Sequence, residues 1–140
     1  MTHRSGNFLG SCAIAILTTL ACAVSARAAT VLQTSPLWAA STDYQACLAV
    51  NLTPSPLPSL KIDVIDAYTG TVVNTQTFTN IPSQTVVELT DGGPGATMFA
   101  CCRFTGASAK LIRANQTVFE FTGPNGSDYQ TKAFTEAHQK

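Results

Sequence analysis

The sequence predicts an all-β protein, an antiparallel β-sandwich of seven or eight short strands, with a small barrel as the alternative way of closing the same strands. Three observations point there. Runs rich in Val, Ile, Thr and Phe recur along the chain, separated by Gly- and Pro-bearing breaks at 53–59, 80–83, 91–95 and 123–128. After residue 28 no stretch carries apolar side chains at a sustained helical spacing. The octet Met98–Thr105 alternates, with Met98, Ala100, Cys102 and Phe104 on one face and Phe99, Cys101, Arg103 and Thr105 on the other. One wholly apolar face and one mixed face mark a central strand of a two-layer structure.

Residues 1–28 read as an export signal. Arg4 lies in a weakly basic lead, an apolar run covers 12–24, and Ala26-Arg27-Ala28 forms a small-x-small cleavage site before Ala29. The run falls short of the roughly 20 residues needed to cross a bilayer, and no second long apolar run follows, so no membrane span is expected and the mature chain belongs in the periplasm or the medium. Leu20-Ala21-Cys22 also looks like the end of a lipoprotein signal, although Thr19 stands where an aliphatic residue is usual, which leaves lipidation at Cys22 open. Cleavage removes Arg4 and Arg27 from eight basic residues and none of the eight acidic ones, leaving a net charge of about −2. The remaining Lys and Arg are scattered singly, which argues against nucleic acid as a partner. About 110 residues suit one domain, taken as 29–134 with a loose tail over 135–140.

Taken in order, 30–34 is a short first strand ended by Ser35-Pro36, and 37–43 is a loop carrying Trp38. Tyr44 to Leu52 is a strand with Cys47 inside it. Pro54, Pro56 and Pro58 cannot donate to a ladder and make 53–59 a stiff connection. Residues 60–67 and 71–78 read as a hairpin about a turn at 66–70. A β-rich segment at 84–90 leads to the glycine loop of Asp91, and the octet of Met98 to Thr105 follows. From 110 to 121 the apolar phase changes from Ile112 and Ala114 to Phe119 and Phe121, which predicts a bulge near Asn115. Residues 129–134 close an edge.

Three cysteines survive cleavage, so an oxidising compartment gives one pair and one remaining thiol. Cys102 shares its face with Met98, Ala100 and Phe104, the core side, whereas Cys101 shares with Arg103, which needs water. The expected bridge is therefore Cys47–Cys102, with Cys101 a free, partly exposed thiol or a link between two chains. A Cys101–Cys102 ring is the rival, but adjacent residues on a regular strand point to opposite faces.

A cysteine on the second strand facing one on the sixth resembles the inter-sheet bridge of immunoglobulin-like domains. The true domain's tryptophan on the third strand is missing, and Ala100 stands where its tyrosine corner would begin. The chain is also similar to short exported bacterial immunoglobulin-like β-sandwich proteins without assigned activity. It shares with them a Cys-x-x-Val-Asn strand (Cys47 to Asn51), Ile62 to Asp66, Cys102-Arg103-Phe104 and Arg113-Ala114. That resemblance implies the fold and export, and carries over no catalytic residues.

Little chemistry is readable. His138 is the only histidine after residue 28, too few for a copper site with Cys102 and Met98 or for zinc, so no metal and no cofactor is expected. Cys101 lacks a nearby base, and Asp63 and Asp66 lie on opposite strand faces, which suits turn-flanking residues better than an acid–base pair; no enzyme is expected. Asn51, Asn115 and Asn125 head acceptor-like Asn-x-Ser/Thr triplets that equally suit strand ends. The functional expectation is a non-enzymatic structural or binding module, a monomer or weak oligomer, whose partner is an unknown protein or envelope ligand. A thiol-based redox protein using Cys101 and Cys102, or a pilin-like subunit exchanging strand 30–34, is the alternative. Any recognition surface is placed at one pole of the sandwich, where the loops of Trp38, Tyr68 and Asp91 gather; the competing role for Trp38 is a plug in the core.

N-terminal sequencing of the exported protein should begin at Ala29 or within two residues of it. A mature form retaining Met1 would overturn the reading of residues 1–28.

Overall fold

Ala100, Cys102 and Phe104 have no measurable exposure to water, while Phe99, Arg103 and Thr105 are partly exposed, so the two faces of the octet separate as its alternation requires. The computed structural model describes residues 30–92, 97–107, 110–122 and 128–139. Residues 1–28, read from sequence as an export signal, and Cys22 within them lie outside the described residues. The described residues form nine strands and no helix: β1 (Val31–Thr34), β2 (Leu37–Ala39), β3 (Asp43–Asn51), β4 (Leu57–Asp66), β5 (Val72–Ile81), β6 (Val86–Gly92), β7 (Met98–Thr105), β8 (Ile112–Thr122) and β9 (Asp128–Gln139).

All pairings are antiparallel, in the order β5-β4-β7-β1-β9-β8-β3-β6, with β2 a further partner of β7. This is one hydrogen-bonded sheet folded over on itself, close to a barrel, rather than two separate sheets of seven or eight strands in all. Two segments account for the difference. Residues 37–39, read as loop, pair as β2 with Met98, Phe99 and Ala100. Residues 135–139, read as a loose tail, continue β9, whose Ala137, His138 and Gln139 pair with β1 and join the two halves of the sheet. Among the described residues β5 and β6 share no ladder; only the Asn74 amide reaches the Thr90 carbonyl, at 3.5 Å.

The core fills the inside of the fold. Leu32, Leu60, Ile62, Val64, Phe104 and Ile112 are its largest buried apolar side chains, contributed from both halves. Cys47 on β3 and Cys102 on β7 join across it, with Cα atoms 5.7 Å apart.

Ser35-Pro36 divides β1 from β2 along the same edge of β7, and Pro36 has no N–H to continue the ladder. Side chains complete it: the Thr34 hydroxyl accepts the Cys102 N–H (2.9 Å) and donates to Gln116 Oε1 (2.5 Å), and Gln116 Nε2 donates to the Ala100 carbonyl (2.8 Å). Thr34 and Gln116 are both buried, so each hydrogen bond also removes an unsatisfied polar group from the interior. Asn51 does similar work at the end of β3. Its amide nitrogen donates to the Ser55, Ile81 and Pro82 carbonyls and its oxygen accepts from Thr53, fixing the connection to β4.

The Cys47–Cys102 bridge closes 55 positions, which in the loop-entropy picture restricts the unfolded chain by roughly 4 kcal/mol. A Cys47→Ala/Cys102→Ala variant should lose about that much in a urea titration, a large share of the net stability of such a domain. A loss under about 1 kcal/mol would show that the core holds the layers without it.

Candidate functional site

With Cys47 pointing inward, alternation sends Tyr44, Ala46 and Leu48 to the outer face of β3. Register then places Phe119 beside Tyr44 and Thr117 beside Ala46 on β8, and Thr131 and Tyr129 beside Phe119 and Phe121 on β9. The aromatic rings pack together. Tyr44 and Phe119 lie nearly parallel, with centroids 5.8 Å apart, and Phe121 meets both edge-on at 4.9 and 5.4 Å. Tyr129 stands at 6.2 Å from Phe119. These are the offset and edge-to-face arrangements that aromatic quadrupoles favour.

Ala46 is small among large neighbours, and a hollow of about 420 Å³ opens over it. Phe119, Phe121, Tyr129 and Leu48 supply its apolar walls, and Thr117, Thr131 and Glu88 its polar groups. Tyr129 is 72 % exposed and Phe121 46 %, so the rings face water instead of a second layer. A contiguous apolar patch on a soluble surface is the observation that calls for explanation.

At the ends of the same strands, on the face opposite the hollow, Asp43 and Glu120 are cross-strand partners of like charge. An irregularity opposite Val118 and Phe119 leaves Lys132 as an extra residue on β9, and its ammonium bridges Asp43 (2.7 Å) and Glu120 (2.9 Å). The bulge expected near Asn115 is therefore in β9's pairing, and β8 runs in unbroken register along β3. Phe119 and Phe121 are not core residues after a change of face; they belong to the outer face throughout.

The sites read from sequence fall elsewhere. Trp38 is 54 % exposed, so it does not plug the core, and Tyr68 is 73 % exposed. They flank Phe99 on the outer face of the other half of the sheet, with ring centroids 6.1 and 5.1 Å from it. Asp91 lies in β6 at the same pole by register but pairs with Gln45 on the opposite half; residues 93–95 of its loop lie outside the described residues. Cys101 is outside the disulfide, as expected, but only 3 % exposed and not partly so. Ile65 pairs with it on β4 and the Gln33 amide donates to its sulfur at 3.1 Å, which covers the thiol although it faces away from the core. Residues 30–34, named as an exchangeable strand, include β1, paired on both sides within its own chain. Asn51 is buried with its amide hydrogens engaged, so its triplet is a structural one; Asn125 lies outside the described residues. Among the described residues no three His, Cys, Asp or Glu side chains converge on a metal-sized space.

Asp63 is not a solvated turn residue. It is buried on the outer side of β4, where Lys61 (2.9 Å), Arg103 (2.8 and 3.0 Å) and Thr75 (2.6 Å) surround its carboxylate. Burial pushes its carboxyl up, but the hydrogen bonds from Thr75, Arg103 and Lys61 together outweigh this and hold it below the ordinary range. Asp66 does flank its turn, accepting the Thr69 and Tyr68 N–H groups.

Asp43 is held down by the Lys132 hydrogen bond and by the Ala40 N–H, against the opposing effect of burial. Because the folded-state values of Asp43 and Asp63 are depressed, their contribution to stability is present above about pH 4 and is lost as pH falls through those values. Calorimetry between pH 6 and 2 should therefore find a declining Tm, and Asp43→Asn/Asp63→Asn should start lower and flatten that decline. An unchanged slope in the double variant would remove these carboxylates as its source.

Compared with protein-family models, with curated proteins and with solved structures, the chain finds no match in any of the three.

Proposed function

We propose that the chain is an exported, non-enzymatic binding module of the cell envelope or the surrounding medium, its single sheet closed over on itself in an immunoglobulin-like manner with the halves bridged by Cys47–Cys102. Its ligand lies in the aromatic hollow on the outer face of β3, β8 and β9. The observation that carries this reading is that Phe121 and Tyr129 stand in water around a concave surface instead of completing the core. Export is supported by residues 1–28 and agrees with the disulfide, which persists in oxidising compartments.

The geometry gives less to the alternatives. A thiol switch between Cys101 and Cys102 would join sulfurs on opposite strand faces, one of them already bonded to Cys47. Strand exchange would require pulling β1 out from between β7 and β9. The second cluster, in which Trp38 and Tyr68 flank Phe99, brings together two of the three residues expected at one pole and supports a further contact surface.

If the rings are held for a ligand and not for stability, Phe121→Ala/Tyr129→Ala should cost no more than about 2 kcal/mol in a denaturant titration, because both side chains are largely hydrated already. A loss of about 4 kcal/mol or more, as for truncated core aromatics, would make the cluster a structural cover.

A further inference from the structure

Resting on the reading of the hollow as a ligand site, we infer that its ligand is an uncharged carbohydrate chain, bound by stacking of pyranose rings on Tyr129 and Phe121. The chemistry of the lining selects this class. A pyranose presents one apolar C–H surface and a rim of hydroxyls, which matches aromatic faces interleaved with hydrogen-bonding groups. Polarised C–H bonds meet the electron-rich ring faces, and burial of that apolar surface adds the hydrophobic term.

The polar groups narrow the choice. Thr117 and Thr131 lie among the rings; the Thr117 hydroxyl donates to Asn115 Oδ1 at 3.5 Å, but the Thr131 hydroxyl has no partner among the described residues, so an entirely apolar ligand would strip its water and return no hydrogen bond. Glu88 accepts the Thr90 hydroxyl on one carboxylate oxygen (2.5 Å), and its second oxygen has no partner among the described residues, leaving an acceptor for ligand O–H groups. The same carboxylate repels anions. Among the described residues no Lys or Arg lines the hollow, and Lys132 is committed to Asp43 and Glu120 on the other face of the strands. Phosphates, nucleic acids and acidic polymers therefore find no counter-charge, and a neutral hydroxyl-rich chain finds both stacking surfaces and an acceptor. The hollow is a depression in an open sheet face, so an extended polymer can lie across it with both ends free.

The test is a titration of isotope-labelled protein with cellohexaose and with chitohexaose, in parallel with the uncharged apolar dye N-phenyl-1-naphthylamine. The inference expects saturable shifts at Thr117, Phe119, Phe121 and Tyr129 with at least one of the two sugars. The affinity should change less than about twofold between low and high salt, because the ligand is neutral. Tyr129→Ala should weaken binding at least about tenfold while leaving the Cys47–Cys102 core resonances in place. Ala46→Leu, which fills the floor without removing a ring, should weaken it likewise. If neither sugar moves these residues but the dye does, and Tyr129→Ala abolishes the dye response, the hollow stands as a binding site and the carbohydrate assignment falls. If neither sugar nor dye moves them, both the assignment and the site are overturned.

Discussion

At the Cys47–Cys102 bridge the two halves of the sheet come within 5.7 Å, Cα to Cα, whereas facing layers ordinarily pack about 10 Å apart. Small side chains flank the bridge along its own strands: Ala100 precedes Cys102 on the inner face of β7, Ala49 follows Cys47 on β3, and Ala114 lies across from Ala49 on β8, while Gln116 lies directly across from Cys47; all four are buried. Larger side chains, among them Phe104, Leu32, Leu60 and Ile112, fill the rest of the core. The bridge also fixes the phase of β3 and β7, and a one-residue slip on either would turn its apolar side chains to water.

That fixed phase generates both outer surfaces. On β7, Cys102 inward means Phe99, Cys101 and Arg103 outward, which places Phe99 between Trp38 and Tyr68 and puts Arg103 against Asp63. On β3, Cys47 inward means Tyr44, Ala46 and Leu48 outward, which sets the floor and one wall of the hollow. Neither surface belongs to the core cluster, so packing inside the fold does not dictate the side chains there.

How much of this is legible in the sequence follows from the same parity. The alternation of Met98–Thr105 carries the central strand, the bridge and the unpaired Cys101, because period two is a local property. The exposure of Cys101 is not local; it depends on Ile65 and Gln33, far away in sequence, folding over the sulfur. The nine-strand count was hidden because three residues, Leu37 to Ala39, make a strand only when β7 supplies the partner, and because residues 135–139 look like any polar C-terminus until β1 pairs with them. The hollow was missed for a different reason. Hydrophobicity alone reads a phase change from Ile112 and Ala114 to Phe119 and Phe121, which requires a change of face in β8 that does not occur. Keeping Ile112, Ala114 and Val118 in one phase puts both phenylalanines on the solvent side, and Cys47 puts Tyr44 with them, so the signal was present in the parity and obscured by the assumption that large apolar residues point inward.

The extra residue in β9 ties the hollow to the rest of the fold. Asp43 and Glu120 face each other at the strand ends next to Tyr44 and Phe119, and two carboxylates in that relation repel. A regular β9 would pair residue for residue along β8, with no spare position between Ala133 and Thr131. The bulge supplies one, and Lys132 uses it to hold both carboxylates at hydrogen-bond distance. Beyond the bulge, Thr131 and Tyr129 come into line with Phe119 and Phe121, so the same insertion that neutralises the charge pair sets the register in which Tyr129 reaches the aromatic cluster. A bulge bends and twists its strand, and here the bend falls at the hollow. The charge triad and the aromatic surface are therefore two consequences of one bulge: pairing Lys132 regularly with Phe119 would turn its ammonium to the outer face, leave the two carboxylates unbridged, and move Tyr129 and Thr131 to the opposite face.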